Sequence, residues 1–120
     1  MPHVVLNGAI KIRDVFENLQ PINIASKQEV LRTLKKFIDI EENTILIEGL
    51  TIERGNKNNF LCMLNSREDG LVIRLYPTFE VEKTAGVKKI LAKIAIQVIE
   101  KFPNLKIGKT NLQEFLSGKL

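Results

Sequence analysis

Between Thr84 and Phe102, the residues Val87, Ile90, Leu91, Ile94, Ala95, Val98, Ile99 and Phe102 recur at helical spacing and make one wide apolar stripe. Lys88, Lys89, Lys93, Gln97, Glu100 and Lys101 take the other side. Thr84 is placed to cap the first turn, and Pro103 stops the run. Alone, such a stripe would face water, so it requires a sheet or several helices to lie against. The rest of the chain must build that cover.

The segments around it supply candidates. Residues 3–12 alternate, with Val4, Leu6, Ile10 and Ile12 on one face, and read as a strand with a bulge or close approach at Gly8. A tight turn at Asn7-Gly8 is the competing possibility. Arg13 to Leu19 reads as a short helix ended by Gln20-Pro21. Ser26 and Glu29 have capping-box spacing, and Val30, Leu31, Leu34, Phe37 and Ile38 follow at helical intervals, which predicts a helix from Lys27 to about Asp39. Thr44 to Arg54 is rich in β-branched residues, and its apolar parity switches near Gly49, which predicts a bulge there. Phe60 to Leu64 predicts a central strand between turn clusters. Leu71 to Glu82 alternates, with Leu71, Ile73, Leu75, Phe79 and Val81 on one face, and Pro77 predicts an edge position or a break. After Pro103, Leu105 and Ile107 predict a short extended piece. Thr110 caps a last helix carrying Leu112, Phe115 and Leu116, and residues 117–120 fray.

The expected fold is α+β: an antiparallel sheet of about four strands, in the order β-α-α-β-β-β-α plus a short C-terminal helix, with the long amphipathic helix packed across a face. No linker or repeat divides residues 1–120, which read as one domain with 103–120 as a small appendix. From Ser26 to Phe102 the order α-β-β-β-α resembles that of a double-stranded-RNA-binding domain. Lys88-Lys89 with Lys93 resembles the basic start of that family's second helix, which faces phosphates. Residues 55–59 depart from the family's loop and the N-terminal strand is additional, so the likeness is one of topology.

Composition narrows the chemistry. Cys62 is the one cysteine, so no internal disulfide forms and a reducing, cytoplasmic setting is expected. No apolar run reaches the length of a membrane span, and no secretory signal pattern opens the chain. His3 is the only histidine, which leaves a triad or an imidazole relay without its base. One Cys and one His do not close a zinc site, the acidic clusters lack calcium-loop spacing, and no phosphate loop is present. Cys62 lies in an apolar run and reads as a small buried hydrophobe. No catalytic residue, metal or cofactor is predicted.

Two groups of residues carry binding expectations. Charge is uneven: residues 1–82 hold 10 Lys/Arg against 12 Asp/Glu, and residues 83–120 hold 8 against 2. Lys83, Lys88, Lys89 and Lys93, with Lys106 and Lys109, form a candidate contact for an anion or a nucleic acid. Phosphates would relieve the repulsion between Lys89 and Lys93, and so would carboxylates from the acidic strands. Glu48, Arg74 and Tyr76 form a candidate polar ligand site on the sheet face away from the long helix.

The expected function is that of a small non-enzymatic cytosolic domain binding a macromolecule, either a protein partner, a second copy of itself or a nucleic acid, with no membrane role. An edge strand at residues 71–82 or the apolar piece around Phe115 would mediate pairing. The alternative is a small-molecule site, or an enzyme's, between sheet and helices.

Overall fold

The stripe of residues 84–102 forms a helix, and the cover it recruits is larger than a four-stranded layer. The computed structural model describes residues 1–77 and 81–117. The chain runs β1 (His3–Asn7), α1 (Ile12–Asn18), β2 (Asn23–Ala25), β3 (Glu29–Ile38), β4 (Thr44–Glu53), β5 (Asn56–Arg67), β6 (Gly70–Leu75), α2 (Ala85–Lys101) and β7 (Lys106–Thr110), followed by a 3-10 turn at Gln113–Phe115. Seven strands form one antiparallel sheet in the spatial order β2-β3-β4-β5-β6-β1-β7. The sheet curls into a half-barrel around α2, and the architecture stays α+β in kind.

Along α2, Val87, Ile90, Leu91, Ile94, Ala95 and Val98 are buried. They meet the concave side of the sheet, where Leu31, Ile45, Ile47, Phe60, Cys62, Leu64, Leu71, Ile73 and Leu75 point inward with Val4 and Leu6. Each such aliphatic side chain contributes about 1.5–3 kcal/mol when removed from water. The start of α2 is tied to the sheet by Glu53, the last residue of β4. Its carboxylate accepts from the Thr84 hydroxyl (Oε2, 2.5 Å) and from the Gly86 N–H (Oε1, 2.9 Å), and the Thr84 Oγ1 accepts from Val87 N at 3.3 Å. A side chain at 86 would strike that carboxylate, since a Cβ there lies 2.7 Å from Glu53 Cδ.

Three expectations are overturned. The first is the four-stranded sheet in the order β-α-α-β-β-β-α. No helix spans 27–39. Instead Ser26 closes the β2–β3 hairpin, its Oγ accepting from Gln28 N and Glu29 N at 3.3 and 3.2 Å, and β3 follows. The hydroxyl caps backbone N–H groups as expected, but of a turn and not a helix. The helical spacing arises from a bulge: Thr33 faces Gly49 and Lys36 faces Ile47, so two residues of β3 oppose Glu48 alone. Leu31 and Thr33 point inward before it, Lys36 and Ile38 after it, and this phase change mimics a 3.6-residue period. The bulge expected at Gly49 is therefore in β3, while β4 alternates without interruption. With that helix gone, the element order of a double-stranded-RNA-binding domain is absent.

Second, residues 71–82 are not an edge strand. β6 stops at Leu75 and lies between β5 and β1, because β1 inserts beside it from His3↔Arg74 to Asn7↔Gly70. The insertion needs a glycine at 70, where φ is +151° and a Cβ would lie 1.9 Å from Leu6 O. Phe79, expected on the inner face of that strand, lies outside the described residues. β1 itself ends at Asn7, and Ile12, expected in the strand, is buried in the first turn of α1.

Third, the C-terminal segment is part of the sheet. β7 pairs with β1, and Thr110, expected as a helix cap, donates to His3 O at 2.7 Å while accepting from Leu112 N at 3.0 Å. Among the described residues a short 3-10 turn follows where the helix was expected, with Leu112 and Leu116 buried, and residues 118–120 lie outside the described residues.

Candidate interaction surface

β2 has three residues and pairs only with Arg32, Leu31 and Val30 of β3. One further backbone bond, Thr33 N to Ile22 O at 2.9 Å, ends that ladder. Among the described residues, β3 is paired with β4 alone from Leu34 to Ile38. The chain before β2 is drawn off the edge by α2: the Gln97 side chain accepts from Gln20 N at 2.7 Å and donates to Gln20 O at 3.0 Å. Pro21 lies between, with no N–H to offer a ladder.

The direction of the free backbone groups follows from strand alternation. Asp39 N donates across the hairpin to Thr44 O at 3.1 Å. Phe37, two residues back, also faces β4, so the peptide groups of Lys36 and Ile38 face outward. Large apolar side chains accompany them: Leu34 is 51% exposed, Phe37 49% and Ile40, in the β3–β4 turn, 100%. Phe37 stands on the convex face beside Leu46, its cross-strand mate. Lys36 points the other way. Its Nζ donates to Phe16 O at 2.5 Å and Leu19 O at 3.2 Å, and it lies 4.6 Å from the Phe16 ring centroid. That anchors α1 under the half-strand. The two terminal strands of the sheet are blunted by contrast. β2 is short, and β7 carries exposed Lys106 and Lys109 and a register shift opposite Val5.

Sequence reasoning missed this edge because it placed Leu34 and Phe37 in a helical core. The available signal was the pair of alternating phases, Leu31/Thr33 and Lys36/Ile38, on either side of two adjacent residues.

The lysines do not form one patch. Lys88 projects roughly 140° around α2 from Lys93, at about 100° per residue. Lys89 is held by Glu29 of β3 at 2.9 Å, so a carboxylate, not a phosphate, meets it. The α2 N-terminus is likewise satisfied from within by Glu53. Lys93 is exposed on α2, Lys83 precedes the helix, and Lys106 and Lys109 lie on β7, at the end of the sheet opposite to β2.

Glu48, Arg74 and Tyr76 share the convex face but not a cluster. β5 separates β4 from β6, Glu48 is opposite Leu61, and Arg74 is opposite Met63. Arg74 Nε donates to Asn65 Oδ1 at 3.2 Å, and no ion pair joins it to Glu48. Tyr76 N bonds to Leu61 O at 2.8 Å, which places it at the end of the Glu48–Leu61 row.

Between sheet and helix the packing leaves a space of about 70 Å³, lined by residues such as Leu19, Leu34, Ile47 and Ile94, and a more open one of about 360 Å³ between Ile24, Glu29 and Leu31 of the sheet and Lys89, Lys93 and Phe115. A larger depression, about 660 Å³, lies open to solvent between the β2–β3 and β4–β5 turns beside Ala85. Burial pushes the Cys62 thiol far above its ordinary value, so it is no nucleophile. His3 Nδ1 lies 3.0 Å from Met1 O. Among the described residues no group of His, Cys, Asp and Glu is arranged to hold a metal ion, and no helix is long and apolar enough to cross a membrane. The chain matches no family model, no curated protein and no solved structure.

Proposed function

We propose that this chain is a non-catalytic interaction domain of a reducing, cytosolic compartment that takes up an extended segment of protein along the open half of β3. One observation carries this: among the described residues, 34–38 are paired on one side only, while Leu34 and Phe37 stand half-exposed beside them. An added strand satisfies the outward peptide groups of Lys36 and Ile38, each bond worth about 0.5–1.5 kcal/mol. It also covers the adjacent apolar side chains, which gives the mode its selectivity. A nucleic acid is less well served, because Lys88 diverges from Lys93 and Lys89 is already paired. A small molecule is less well served, because the depressions of about 660 and 360 Å³ beside α2 are open to solvent and the more closed space between sheet and helix is about 70 Å³.

Peptides selected from a random display library on the immobilised full chain, then titrated into ¹⁵N-labelled protein, test this role. The expected shifts centre on the amides of Lys36 and Ile38, and Phe37→Lys removes binding. Shifts that centre on Lys88, Lys89 and Lys93 instead, or a selection without binders, refute it.

A further inference from the structure

We infer that the occupant of this edge is a second copy of the chain, added antiparallel so that β3 meets β3 about a two-fold axis at Phe37. This rests on the interaction role proposed for the same half-strand. The register follows from the backbone. Only Lys36 and Ile38 face outward, so the pairing that uses both places Lys36 opposite Ile38 of the second copy, and the reverse, each pair exchanging both bonds. Phe37 then faces Phe37 as a non-hydrogen-bonded pair on the convex face, where side chains approach most closely.

Registers shifted by two residues lose one of these pairings. Centred on Lys36, the bulge at residues 34 and 35 turns their amides toward β4. Centred on Ile38, the partner of Lys36 would be Ile40, which has left the strand.

The side chains agree with the backbone. In the Phe37-centred register Lys35 comes beside Asp39 of the second copy, whose Oδ1 also accepts from Asn43 N and Thr44 N at 2.8 Å. Lys35 and Asp39 are both exposed and opposite in charge. Phe37, 49% exposed, is then covered by Phe37 of the second copy. The pairing is isologous and closes on itself, so it gives a dimer and not a filament. A contact of so few residues is small against the roughly 1,600 Å² of a standard interface, so the dimer is concentration-dependent.

Sedimentation equilibrium of the purified full chain over a wide concentration range tests the dimer, and engineered cysteines test the register. Phe37→Lys is expected to raise the dissociation constant roughly 30-fold or more, as for loss of a central aromatic anchor. It should leave the circular dichroism melt in place, since residue 37 is half-exposed. With copper-phenanthroline as oxidant, Phe37→Cys cross-links to a covalent dimer, whereas Lys35→Cys, facing Asp39, does not. Cys62 is fully buried and stays silent.

A wild-type chain that is monomeric throughout overturns the dimer. So does a dimer in which Phe37→Cys fails to cross-link. Amide exchange on that monomer separates the two levels: fast exchange at Lys36 and Ile38 leaves the open edge standing without self-pairing, whereas protection there removes both.

Discussion

Replacing Thr51 by valine should stabilise this protein, although it deletes a polar group from the middle of a strand. Thr51 points to the concave side of β4, between Leu31 of β3 and Asn58 of β5, and is 0% exposed. Its hydroxyl oxygen has no hydrogen-bond partner among the described residues. A buried hydroxyl without a partner costs about 1–3 kcal/mol. Valine keeps the β-branch, and thus the χ1 preference and strand propensity, and exchanges the hydroxyl for a methyl of nearly the same size. The expected gain is about 2 kcal/mol. At about 2.1 cal/mol/K per residue of unfolding entropy, a chain of this length gains roughly 4 °C per kcal/mol, so the melting midpoint should rise by about 8 °C. Thr51→Ser gives the opposite sign, because it keeps the hydroxyl and loses a buried methyl, costing about 1 kcal/mol. Thermal and urea melts of the three proteins measure both. A Thr51→Val protein that melts at or below the wild-type temperature would show that the hydroxyl is satisfied, and the reasoning fails.

Other substitutions probe the ties between elements. Glu53→Ala and Thr84→Ala should each cost about 1–2 kcal/mol, and the double variant less than their sum, because both act on the same first turn of α2; additive losses in urea melts would separate them. Gly70→Ala should cost about 3 kcal/mol, since its Cβ meets Leu6 O, and hydrogen exchange should show β1 loosened first; a stability within 0.5 kcal/mol of wild type refutes the close approach. Arg13, donating to Glu42 Oε1 at 2.7 Å from Nε, holds that carboxyl below its usual range near 4.5. The folded-state value is depressed, so any contribution is present above the unfolded value and lost as pH falls through the folded one; an NMR titration should show the Glu42 midpoint rise in Arg13→Gln, and an unchanged midpoint removes the link.

How far the fold was readable from residues alone depended on whether one regular period governed each segment. The stripe of α2 kept its spacing from Val87 to Val98, and Thr84 capped it, so its burial could be anticipated. β4 was legible from its β-branched residues and the centre of β5 from its apolar run, but the polar residues 56–59, expected as a turn, are the paired start of β5 opposite Leu50 to Glu53. β3 was not, because a bulge shifts its phase midway and the resulting intervals match a helix. The places of β1 and β7 were hidden for another reason: nothing local in His3–Asn7 says that its neighbours are β6 and β7, far along the chain. The candidate site inherited that blindness. Glu48, Arg74 and Tyr76 were placed on one face by parity, but their separation by β5 is a matter of strand order. The lysines were grouped by proximity in sequence, while the geometry of α2 and the carboxylates of Glu29 and Glu53 divide them. The half-bare β3 depends on Gln97 reaching Gln20, a bond between residues 77 apart.

β1 lies between β6 and β7, and His3 N donates to Asn111 Oδ1 at 3.0 Å. β1 thus pairs only with strands far along the chain, Gly70–Leu75 and Lys106–Thr110. Val4 and Leu6 must wait as unsheltered grease while the hairpins of the middle assemble, and loop closures of that span are slow. Pairing of β1 with β6 and β7 is therefore expected to follow the local hairpins of β3 to β6.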